Sequence, residues 1–450
     1  MDYKALAALS DTDPDEAFRQ ANEHLTMFPD DVQALFVVGV VNARANRYSI
    51  ALAVFERLTK LWPKKAECWN NYGMALTECG QYIEGRQAFK RALELSPKAS
   101  YKGNISTTYI SEGKYVEAKR WARRALEDEP DHAGARSSLG FAHLALGEWA
   151  EGWELYEACL GGRFRKELKF GPVDDPEPRW DGSHVNSLVV YGEQGMGDEI
   201  MYGSIIPEAL QRADHVAIEC DSRLEGLYKR SFPTAEVHGT RRAEAPWARR
   251  FDAGVACGSL ASLFRKSQAD CPRVPYLVAD PERRLQWRAL FDSWGKPVVG
   301  INWTGGRPAT GKRFRSLGIE AFRPLIQSTD AVFVSLQYTD PTEEIEASGL
   351  PVRHFDWATL TPDYDDTAAL VAELDYLVGI HSTVHHLAGS LGRPSLVLVP
   401  EKPMWNYATG SRMPWYAEQV FHRQRKSEAW IDCVKRINLA EALDPLRRAA

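Results

Sequence analysis

The sequence lacks the features of a secreted, zinc-stapled or membrane-spanning protein. Its seven cysteines are odd in number and include no Cys-x-x-Cys pair, so neither a disulfide framework nor a zinc knuckle is expected. No apolar run approaches the roughly 18 to 20 residues of a membrane helix. The first residues also lack the basic start, apolar core and cleavage site of a signal peptide. We therefore expect a cytoplasmic protein with no membrane span.

Basic residues are not in excess either. The 55 Lys and Arg residues face 61 Asp and Glu residues, for a formal charge of -6, whereas a nucleic-acid binder needs a strong basic surplus. We expect no nucleic-acid partner, and the sequence gives no indication of an oligomeric state. In contrast, 44% of the 450 residues are hydrophobic, which predicts a folded chain of two or three domains.

The first 165 residues repeat a pattern every 33 or 34 positions. Prolines recur at this step: Pro29, Pro63, Pro97 and Pro130. Turn residues recur with them: Asn46, Gly80, Gly113 and Gly147. Each turn residue is followed two positions later by a tyrosine or a tryptophan. Helix-turn-helix units of this length and pattern are typical of tetratricopeptide repeats.

We predict four such repeats between residues 31 and 165, preceded at 14–29 by the second helix of a degenerate unit. One hairpin cannot bury its own apolar face, so neighbouring repeats stack into a solenoid with a concave groove. The groove is open to two interpretations. It binds a protein or peptide partner, or the short array braces the next domain.

The remainder of the chain predicts two Rossmann-like domains. A polar, Pro- and Gly-rich linker at 166–186 separates the repeats, at 1–165, from short apolar runs that alternate with helical stretches. The alternation occurs in two series, at 187–290 and 291–450, and it indicates parallel sheets covered by helices on both faces. Because ligands of such folds bind at the carboxyl ends of the strands, we expect a site in the loops that follow them.

The first such loop has the sequence GEQGMGDEI, at 192–200. Gly195 and Gly197 leave backbone amides free to approach an anion at a helix N-terminus. Their spacing fits neither the dinucleotide Gly-x-Gly-x-x-Gly pattern nor a Walker loop, which disfavours a nicotinamide enzyme and a P-loop ATPase. Asp198 is either a helix cap or a general base.

Two further loops carry groups suited to an anion. The loop at 303–317 combines Gly305 with basic residues that include Lys312 and Arg315, which suits a pyrophosphate; the alternative is a solvated basic loop. In the stretch GIHSTVHHLAGSLGRP, Ser382 and Thr383 lie where a helix begins, so hydroxyls and amides there form another anion seat.

Three other groups of residues have less specific interpretations. His381, His385 and His386 suggest a metal, but no His-Glu-x-x-His pattern or carboxylate partner accompanies them, so we expect no metal site. The segment 363–365 resembles an Asp-x-Asp metal motif and is better interpreted as a helix cap. Aromatic residues cluster after the last predicted strand, and they either pack in the core or stack against a sugar or base: Trp405, Tyr407, Trp415 and Tyr416.

Taken together, the motifs resemble the GT-B glycosyltransferases related to bacterial ADP-heptose:lipopolysaccharide heptosyltransferases, in a form with N-terminal tetratricopeptide repeats. The matching stretches lie between about 187 and 424 and include GEQGMGDEIMYGSIIPEAL, VGINWTGG, FVSLQY and HLAGSLGRP. The last of these is the most specific. The resemblance implies a GT-B fold, in which 187–290 is the acceptor-side domain and 291–450 is the nucleotide-sugar domain with a terminal helix.

The resemblance also implies roles for single residues. Asp198 is implied as the general base on the acceptor hydroxyl, and Lys312 and Arg315 as the cations that neutralise the departing diphosphate. The implied donor and phosphate contacts are Gly195, Gly197, Thr304, Gly305, Lys312, Arg315, Gln337, His381, Ser382, Thr383 and His386. At His381 the chain departs from the family, whose members usually carry Asp, and this departure bears on donor identity and on activity.

The function that follows is transfer of a sugar from a nucleotide-sugar, which is a substrate and not a cofactor, to an acceptor without a metal ion. The resemblance implies a protein acceptor recruited by the repeats, such as a flagellin-like surface protein. Two alternatives stay open. One is a catalytically silent adaptor that acts through its repeats, and the other is a nucleotide-sugar enzyme that is not a transferase.

Overall fold

The structure is a computed structural model that describes residues 2–160, 165, 177–241, 250–306, 315–401, 403–407 and 409–447. The chain forms two compact units, Met1–Leu146 and Gly147–Ala450. The finer domain bounds expected from the sequence stay predictions. Among the described residues, no helix combines the length and the apolar character needed to cross a membrane.

Unit 1 is built from successive antiparallel helix pairs. Its helices are α1 (Tyr3–Thr12), α2 (Pro14–Met27), α3 (Val32–Arg44), α4 (Tyr48–Leu61), α5 (Ala66–Glu78), α6 (Tyr82–Leu95), α7 (Ala99–Ser111), α8 (Tyr115–Asp128) and α9 (Ala133–Ala145). Helix α2 covers the segment predicted as part of a degenerate unit. Helix α1, with Asp2 as its N-cap, was not among the predicted elements.

Two recurring positions explain why the repeat sequence folds in this way. Asn46, Gly80 and Gly113 all adopt positive φ angles of 58° to 83°, which glycine and asparagine tolerate best and which end the first helix of a pair. A Cβ atom on Gly73 would lie 2.9 Å from the ring of Phe89. The small residues of the repeat are therefore required where two helices approach closely.

Unit 2 begins with helix α10 (Trp149–Tyr156) and then forms two parallel sheets. The first sheet has the order β3-β2-β1-β4. Its strands are β1 (Val185–Tyr191), β2 (Ala213–Glu219), β3 (Glu236–His238) and β4 (Ala253–Ala256). The helices of this half are α11 (Met196–Gly203), α12 (Ile206–Leu210), α13 (Glu225–Ser231) and α14 (Leu260–Phe264).

The second sheet has the order β10-β9-β8-β5-β6-β7. Its strands are β5 (Val298–Asn302), β6 (Val332–Ser335), β7 (Val352–Arg353), β8 (Tyr376–Ile380), β9 (Ser395–Val399) and β10 (Gln419–Arg423). The helices are α15 (Pro281–Asp292), α16 (Arg323–Ser328), α17 (Thr342–Ser348), α18 (Asp356–Thr359), α19 (Tyr364–Glu373), α20 (Thr383–Ser390), α21 (Trp430–Lys435) and α22 (Leu439–Arg447). This strand order is that of a doubly wound Rossmann sheet.

The predicted fold class, a tetratricopeptide-repeat solenoid followed by a GT-B pair of Rossmann-like domains, is confirmed. Some elements of unit 2 are short or interrupted. Helices α11 and α12 are separate, because Pro207 in the first turn of α12 has no amide to continue α11. Strands β3 and β7 have only three and two residues.

Candidate functional site

The candidate site lies where the strand order reverses in each sheet of unit 2. In the second sheet this point lies between the adjacent strands β5 and β8, because the chain continues from β5 towards one edge of the sheet and from β8 towards the other. In the first sheet it lies between β1 and β4. Loops at the carboxyl ends of strands diverge at such points and leave a crevice for ligands. The loops in question follow β1, β5 and β8, as expected from the sequence.

The glycine-rich turn after β1 brings the start of α11 against the start of α20. Gly195 is the N-cap of α11. A Cβ atom on Gly197 would lie 3.2 Å from Oγ1 of Thr383 and 3.3 Å from the ring of His386, so a larger residue at 197 would crowd both side chains. Two helix N-termini, each the positive end of a helix dipole, therefore meet at one place. An anion is the ligand that such a place favours.

The turn before α20 is held by Asn302, the last residue of β5. Its Nδ2 donates to the carbonyl of Ile380 and to Oγ of Ser382, both at 3.0 Å. Ser382 is the N-cap residue of α20, but its side chain makes no capping bond to the helix amides. The hydroxyl is oriented by Asn302 instead, and the amides of the first turn are left without that cap.

The loop after β5 is fixed from both sides. Oε1 of Gln337 accepts from the amides of Trp303 and Thr304 at 3.3 and 3.2 Å. The amide of Gly305 donates to the carbonyl of Arg315 at 2.8 Å, and a Cβ atom on Gly305 would lie 2.9 Å from the carbonyl oxygen of His381. Gly305 thus lies against the turn that precedes α20, and the predicted roles of Thr304 and Gly305 stay predictions.

Arg315 is the described cation of this loop, and Lys312 lies outside the described residues. The Arg315 side chain is buried and lies over Gly306, whose φ of 76° would strain a larger residue. Burial lowers the pKa of Arg315, and the nearby Tyr407, Tyr338 and Asp198 act in the opposite sense. Since a guanidinium group stays charged in proteins, a buried positive charge lies within electrostatic range of Asp198.

Asp198 is partly buried in the first turn of α11. Its Oδ2 accepts from the amide of Gly195 at 3.1 Å, so the predicted cap is present. Burial raises the pKa of Asp198 to about 6, and Glu193 adds to the rise, while the Gly195 amide and the guanidinium groups of Arg315 and Arg241 oppose it. The carboxyl group is therefore mostly ionised at neutral pH and within reach of protonation.

The three histidines of the predicted anion seat are buried and neutral. His386 lies between two hydroxyl groups, with Nδ1 3.2 Å from that of Tyr416 and Nε2 3.0 Å from that of Tyr407. Burial lowers its pKa to about 4 and that of His385 to about 3. The ring of His381 packs on Tyr407 with centroids 4.8 Å apart, and burial lowers its pKa.

Among the residues that the structure describes, no group of three or more His, Cys, Asp or Glu side chains is arranged so that it could hold a metal ion. In the 363–365 segment, Oδ1 of Asp363 accepts from the amide of Asp365 at 3.0 Å and caps α19. Asp365 binds Arg230 of α13 through two bonds of 2.7 and 2.9 Å. This pair joins the two Rossmann-like halves.

The aromatic residues after β9 lie mostly in the interior. Tyr407, Trp415 and Tyr416 are buried, and Trp405 is half-buried. A Cβ atom on Gly389 would lie 2.3 Å from the ring of Tyr416, so this glycine is needed for the ring to pack on α20. The buried members form part of the support beneath the anion seat.

Sequence reasoning missed several residues that support the site. Glu193 is buried and accepts from the buried side chain of Arg165 at 2.9 and 2.8 Å. Arg241 bonds Asp221 and also lies 2.7 Å from the carboxylate of Glu199, next to Asp198. In the sequence, nothing distinguishes Asn302 from any other residue at the end of a strand. Only the polar character of Glu193 inside a glycine-rich turn gave a signal in advance.

Comparisons with known proteins match the repeats and, in two cases, most of the chain. The tetratricopeptide-repeat family model matches residues 43–100 and 105–163. Superkiller complex protein 3 of Mus musculus is 28% identical over 113 residues, which are 25% of this chain and 7% of that protein. A thermophilic TPR protein in Thermus thermophilus has a solved structure that is 20% identical, covers 35% of this chain and 86% of its own, and gives a TM-score of 0.31.

Two matches extend along most of the chain. The structure of a mutant O-GlcNAc transferase of Thermobaculum terrenum is 19% identical and covers 93% of this chain and 92% of its own, with a TM-score of 0.36. Protein FlbA of Caulobacter vibrioides is 30% identical over 415 residues, which are 86% of this chain and 69% of that protein. Because this identity runs through the repeats and far beyond them, the chain belongs to the family of protein FlbA.

Proposed function

We propose that the protein is a glycosyltransferase that moves a sugar from a nucleotide-sugar donor to an acceptor. The observation that carries this proposal is the meeting of two helix N-termini, at Gly197 and Thr383, beside a buried arginine and an ionisable carboxylate. A nucleoside diphosphate needs positive charge and exposed amides on one side. An acceptor hydroxyl needs a base on the other side, and we assign that part to Asp198.

The donor diphosphate would lie at the start of α20. The first-turn amides of α20, the hydroxyl of Ser382 oriented by Asn302, and the guanidinium group of Arg315 would contact its oxygens. Negative charge grows on the diphosphate as it leaves, and preorganised donors in a buried site stabilise that charge most effectively. Because helix amides and an arginine supply the positive charge, the proposed step calls for no metal ion and no resident cofactor.

Asp198 would act from the opposite half of unit 2. As the acceptor oxygen forms its bond to the anomeric carbon, its proton passes to the Asp198 carboxylate, and the bond between the anomeric carbon and the diphosphate oxygen breaks. A pKa of about 6 leaves the carboxylate ionised at neutral pH but more basic than an ordinary aspartate, which suits a general base.

His381 changes the charge of the donor site relative to heptosyltransferase-like enzymes. Burial and the neighbouring Arg315 both lower its pKa, so the ring is neutral where the resemblance leads one to expect a carboxylate. The positive charge of Arg315 is then not neutralised by a carboxylate at position 381. We infer that the donor site favours a fully charged diphosphate, whatever sugar it carries.

The acceptor is proposed to be a protein, of which a flagellin-like surface protein is one example. Support comes from the repeats, whose family commonly mediates protein recognition, and from the side chains that the first helices present. Asn104 of α7 bonds Asn70 of α5 at 2.8 Å, and Met74 is 45% exposed on α5. Amides and a flexible thioether suit an extended peptide segment with varied side chains.

The test is a panel of nucleotides and nucleotide-sugars in ADP, UDP, GDP and CMP forms. A ligand at about 100 times its dissociation constant stabilises the folded protein by roughly 2.7 kcal/mol, which a thermal melt detects. The stabilising nucleotide then identifies the donor for a turnover assay with candidate acceptor proteins. If no member of the panel shifts the melting temperature at millimolar concentration, the proposal is wrong.

One observation favours the second candidate, a catalytically silent adaptor. The Asp198 carboxylate already accepts from the Gly195 amide, and His381 replaces the residue expected beside the donor. Replacement of Asp198 by Asn would leave the cellular role of an adaptor intact, whereas a transferase would lose that role while keeping nucleotide binding. The non-transferase alternative would consume the nucleotide-sugar without any acceptor protein.

A further inference from the structure

The glycine-rich turn that carries Asp198 contains a strained residue. Gln194 has a φ angle of 62°, in the left-handed region that is unfavourable for a residue with a side chain. Glycines at 192 and 195 flank it, yet the strained position itself is not glycine. Such a conformation persists only where the surroundings enforce it, so the contacts of Gln194 are informative.

Two hydrogen bonds enforce the conformation of Gln194. Its Nε2 donates to the hydroxyl of Tyr156 at 2.7 Å, and its carbonyl accepts from Arg241 at 2.7 Å. The Tyr156 hydroxyl also accepts from that of Tyr202 at 3.3 Å. Tyr156 and Tyr202 both interact electrostatically with Asp198, so the network lies within electrostatic range of the carboxylate.

The residue before Gln194 is fixed from the same direction. Glu193 binds the side chain of Arg165, which also donates to the carbonyl of Tyr156 at 3.2 Å. The guanidinium group of Arg165 lies 4.5 Å from the centre of the Tyr156 ring. A buried ion pair and a buried tyrosine thus hold two consecutive residues of the turn.

Tyr156 can serve as an anchor because α10 itself is firmly packed in unit 2. The side chain of Trp153 is fully buried. Its ring centroid lies 5.4 Å from that of Trp405 and 6.3 Å from those of Tyr202 and Trp415. Edge-to-face pairs of this kind favour one orientation of the helix.

We propose that Tyr156 is a positioning residue for the reaction: its hydroxyl holds Gln194 in the left-handed conformation and thereby sets the place of Asp198 against the donor. The proposal rests on the proposed function. It assigns to the last helix of the repeat sequence a part in the chemistry of the transferase unit. The substrates are those of the proposed transferase. The hydrogen bond from Gln194 to Tyr156 is the contact through which α10 acts on the turn that carries Asp198.

The test uses the full chain with Tyr156→Phe, which keeps the ring and removes only the hydroxyl group. Tyr376→Phe is the matched control, because Tyr376 is also buried but begins β8, at the end of the strand away from the crevice. Hydrogen exchange is measured on the amides of 193–198, which requires no donor or acceptor. We expect exchange to accelerate about tenfold in Tyr156→Phe, as for the loss of one hydrogen bond, and to be unchanged in the control.

Turnover is measured next on the same variants. Misplacement of a catalytic group by a fraction of an ångström to 1 Å costs up to about a hundredfold, so we expect kcat to fall ten- to a hundredfold while the KM for the donor stays unchanged. In a Gln194→Gly background, where the left-handed conformation no longer needs support, Tyr156→Phe should have no further effect on kcat.

The outcomes separate the two proposals. Unchanged exchange at 193–198 in Tyr156→Phe, or an undiminished effect of Tyr156→Phe in the Gln194→Gly background, would overturn the positioning role. A change of KM without a change of kcat would overturn it as well. Absence of donor binding and turnover in the wild-type chain would overturn the proposed function instead, while the exchange measurement would still decide whether Tyr156 holds the turn.

Discussion

The two turns that meet at the crevice are supported by different chemistry. Behind the turn of α11 lie buried charges, among them Arg165, Glu193 and Arg241. Behind the turn of α20 lie neutral groups: Asn302, and His386 between two tyrosine hydroxyls. Both turns connect the end of a parallel strand to the start of a helix. The side chains that support the two turns nevertheless differ in charge.

The difference matches what each turn would have to do. A carboxylate that accepts a proton benefits from nearby charges that adjust its pKa. A seat for a diphosphate benefits from surroundings that stay neutral, because a titrating histidine would alter the affinity across neutral pH. The charged turn is accordingly the place for proton transfer and the neutral turn is the place for binding.

The largest expected effect is that of Asp198→Asn on turnover. The amide keeps an oxygen to accept from Gly195 but has no basicity, so kcat should fall about 10³-fold, within the range for loss of a general base, while nucleotide binding is retained. Calorimetric titration with the stabilising nucleotide measures binding, and product formation measures turnover. The control is Asp13→Asn, another carboxylate that accepts from a helix amide, which should change neither quantity. Full turnover in Asp198→Asn would contradict the contrast at once.

Arg315→Gln tests the binding side. Hydrogen bonds to charged groups contribute about 1.5 to 3 kcal/mol, so the dissociation constant for the nucleoside diphosphate should rise roughly thirtyfold. Arg323→Gln is the matched control, since its guanidinium group pairs with Glu320 on the surface. If Arg315→Gln lowered kcat and left nucleotide binding unchanged, Arg315 would act in the proton-transfer step with Asp198 and not in binding the diphosphate.

The pH dependence of kcat/KM should show one acid limb near pH 6. Asp198 has a pKa raised to about 6, so it is a competent base above that pH and is protonated below it. The rate should therefore fall about tenfold for each pH unit below 6. His385 and His386 have pKa values of about 3 and about 4, so neither contributes a limb between pH 5 and 8. A profile of kcat/KM that is flat from pH 5 to pH 8 would exclude Asp198 as the base.

The smallest expected effect is that of Tyr407→Phe. It removes one hydrogen bond to the neutral ring of His386, which should lower the free energy of unfolding by about 1 kcal/mol and the melting temperature by a few degrees. Nucleotide affinity and the acid limb should stay in place. Tyr416→Phe removes the other bond to the same ring and should behave alike. If the acid limb of the kcat/KM profile moved in either variant, His381, His385 or His386 would have to change protonation state between pH 5 and 8.

The elements that could be predicted are those with local signals. Residues that recur every 33 or 34 positions predict the repeats. The turns of the crevice are indicated by an apolar strand, then glycines or hydroxyl side chains, and then a helical stretch in direct succession. These signals led to Gly197, Asp198 and Ser382 without a structure. Strand β7, with two residues, carries too little pattern for any reading of periodicity.

The supports of the site could not be predicted because they join residues that are remote in sequence. Arg165 and Glu193 are 28 residues apart, and Asn302 and Ser382 are 80 apart. Nothing in the composition around either residue indicates its partner. The burial of His386 between two tyrosines is a further case, since a histidine at a helix start reads equally well as a ligand contact.

The position of α10 has a practical consequence for dividing the molecule. A transferase fragment begun at residue 166, where the sequence pattern changes, would lack Trp149, Trp153 and Tyr156. The faces of Trp415 and Tyr202 that these rings cover would then be exposed to water, and large exposed aromatic patches promote aggregation. A fragment begun at Gly147 keeps them covered. For expression and crystallisation, a transferase fragment should therefore begin between α9 and α10, inside the last repeat hairpin, and not after that hairpin.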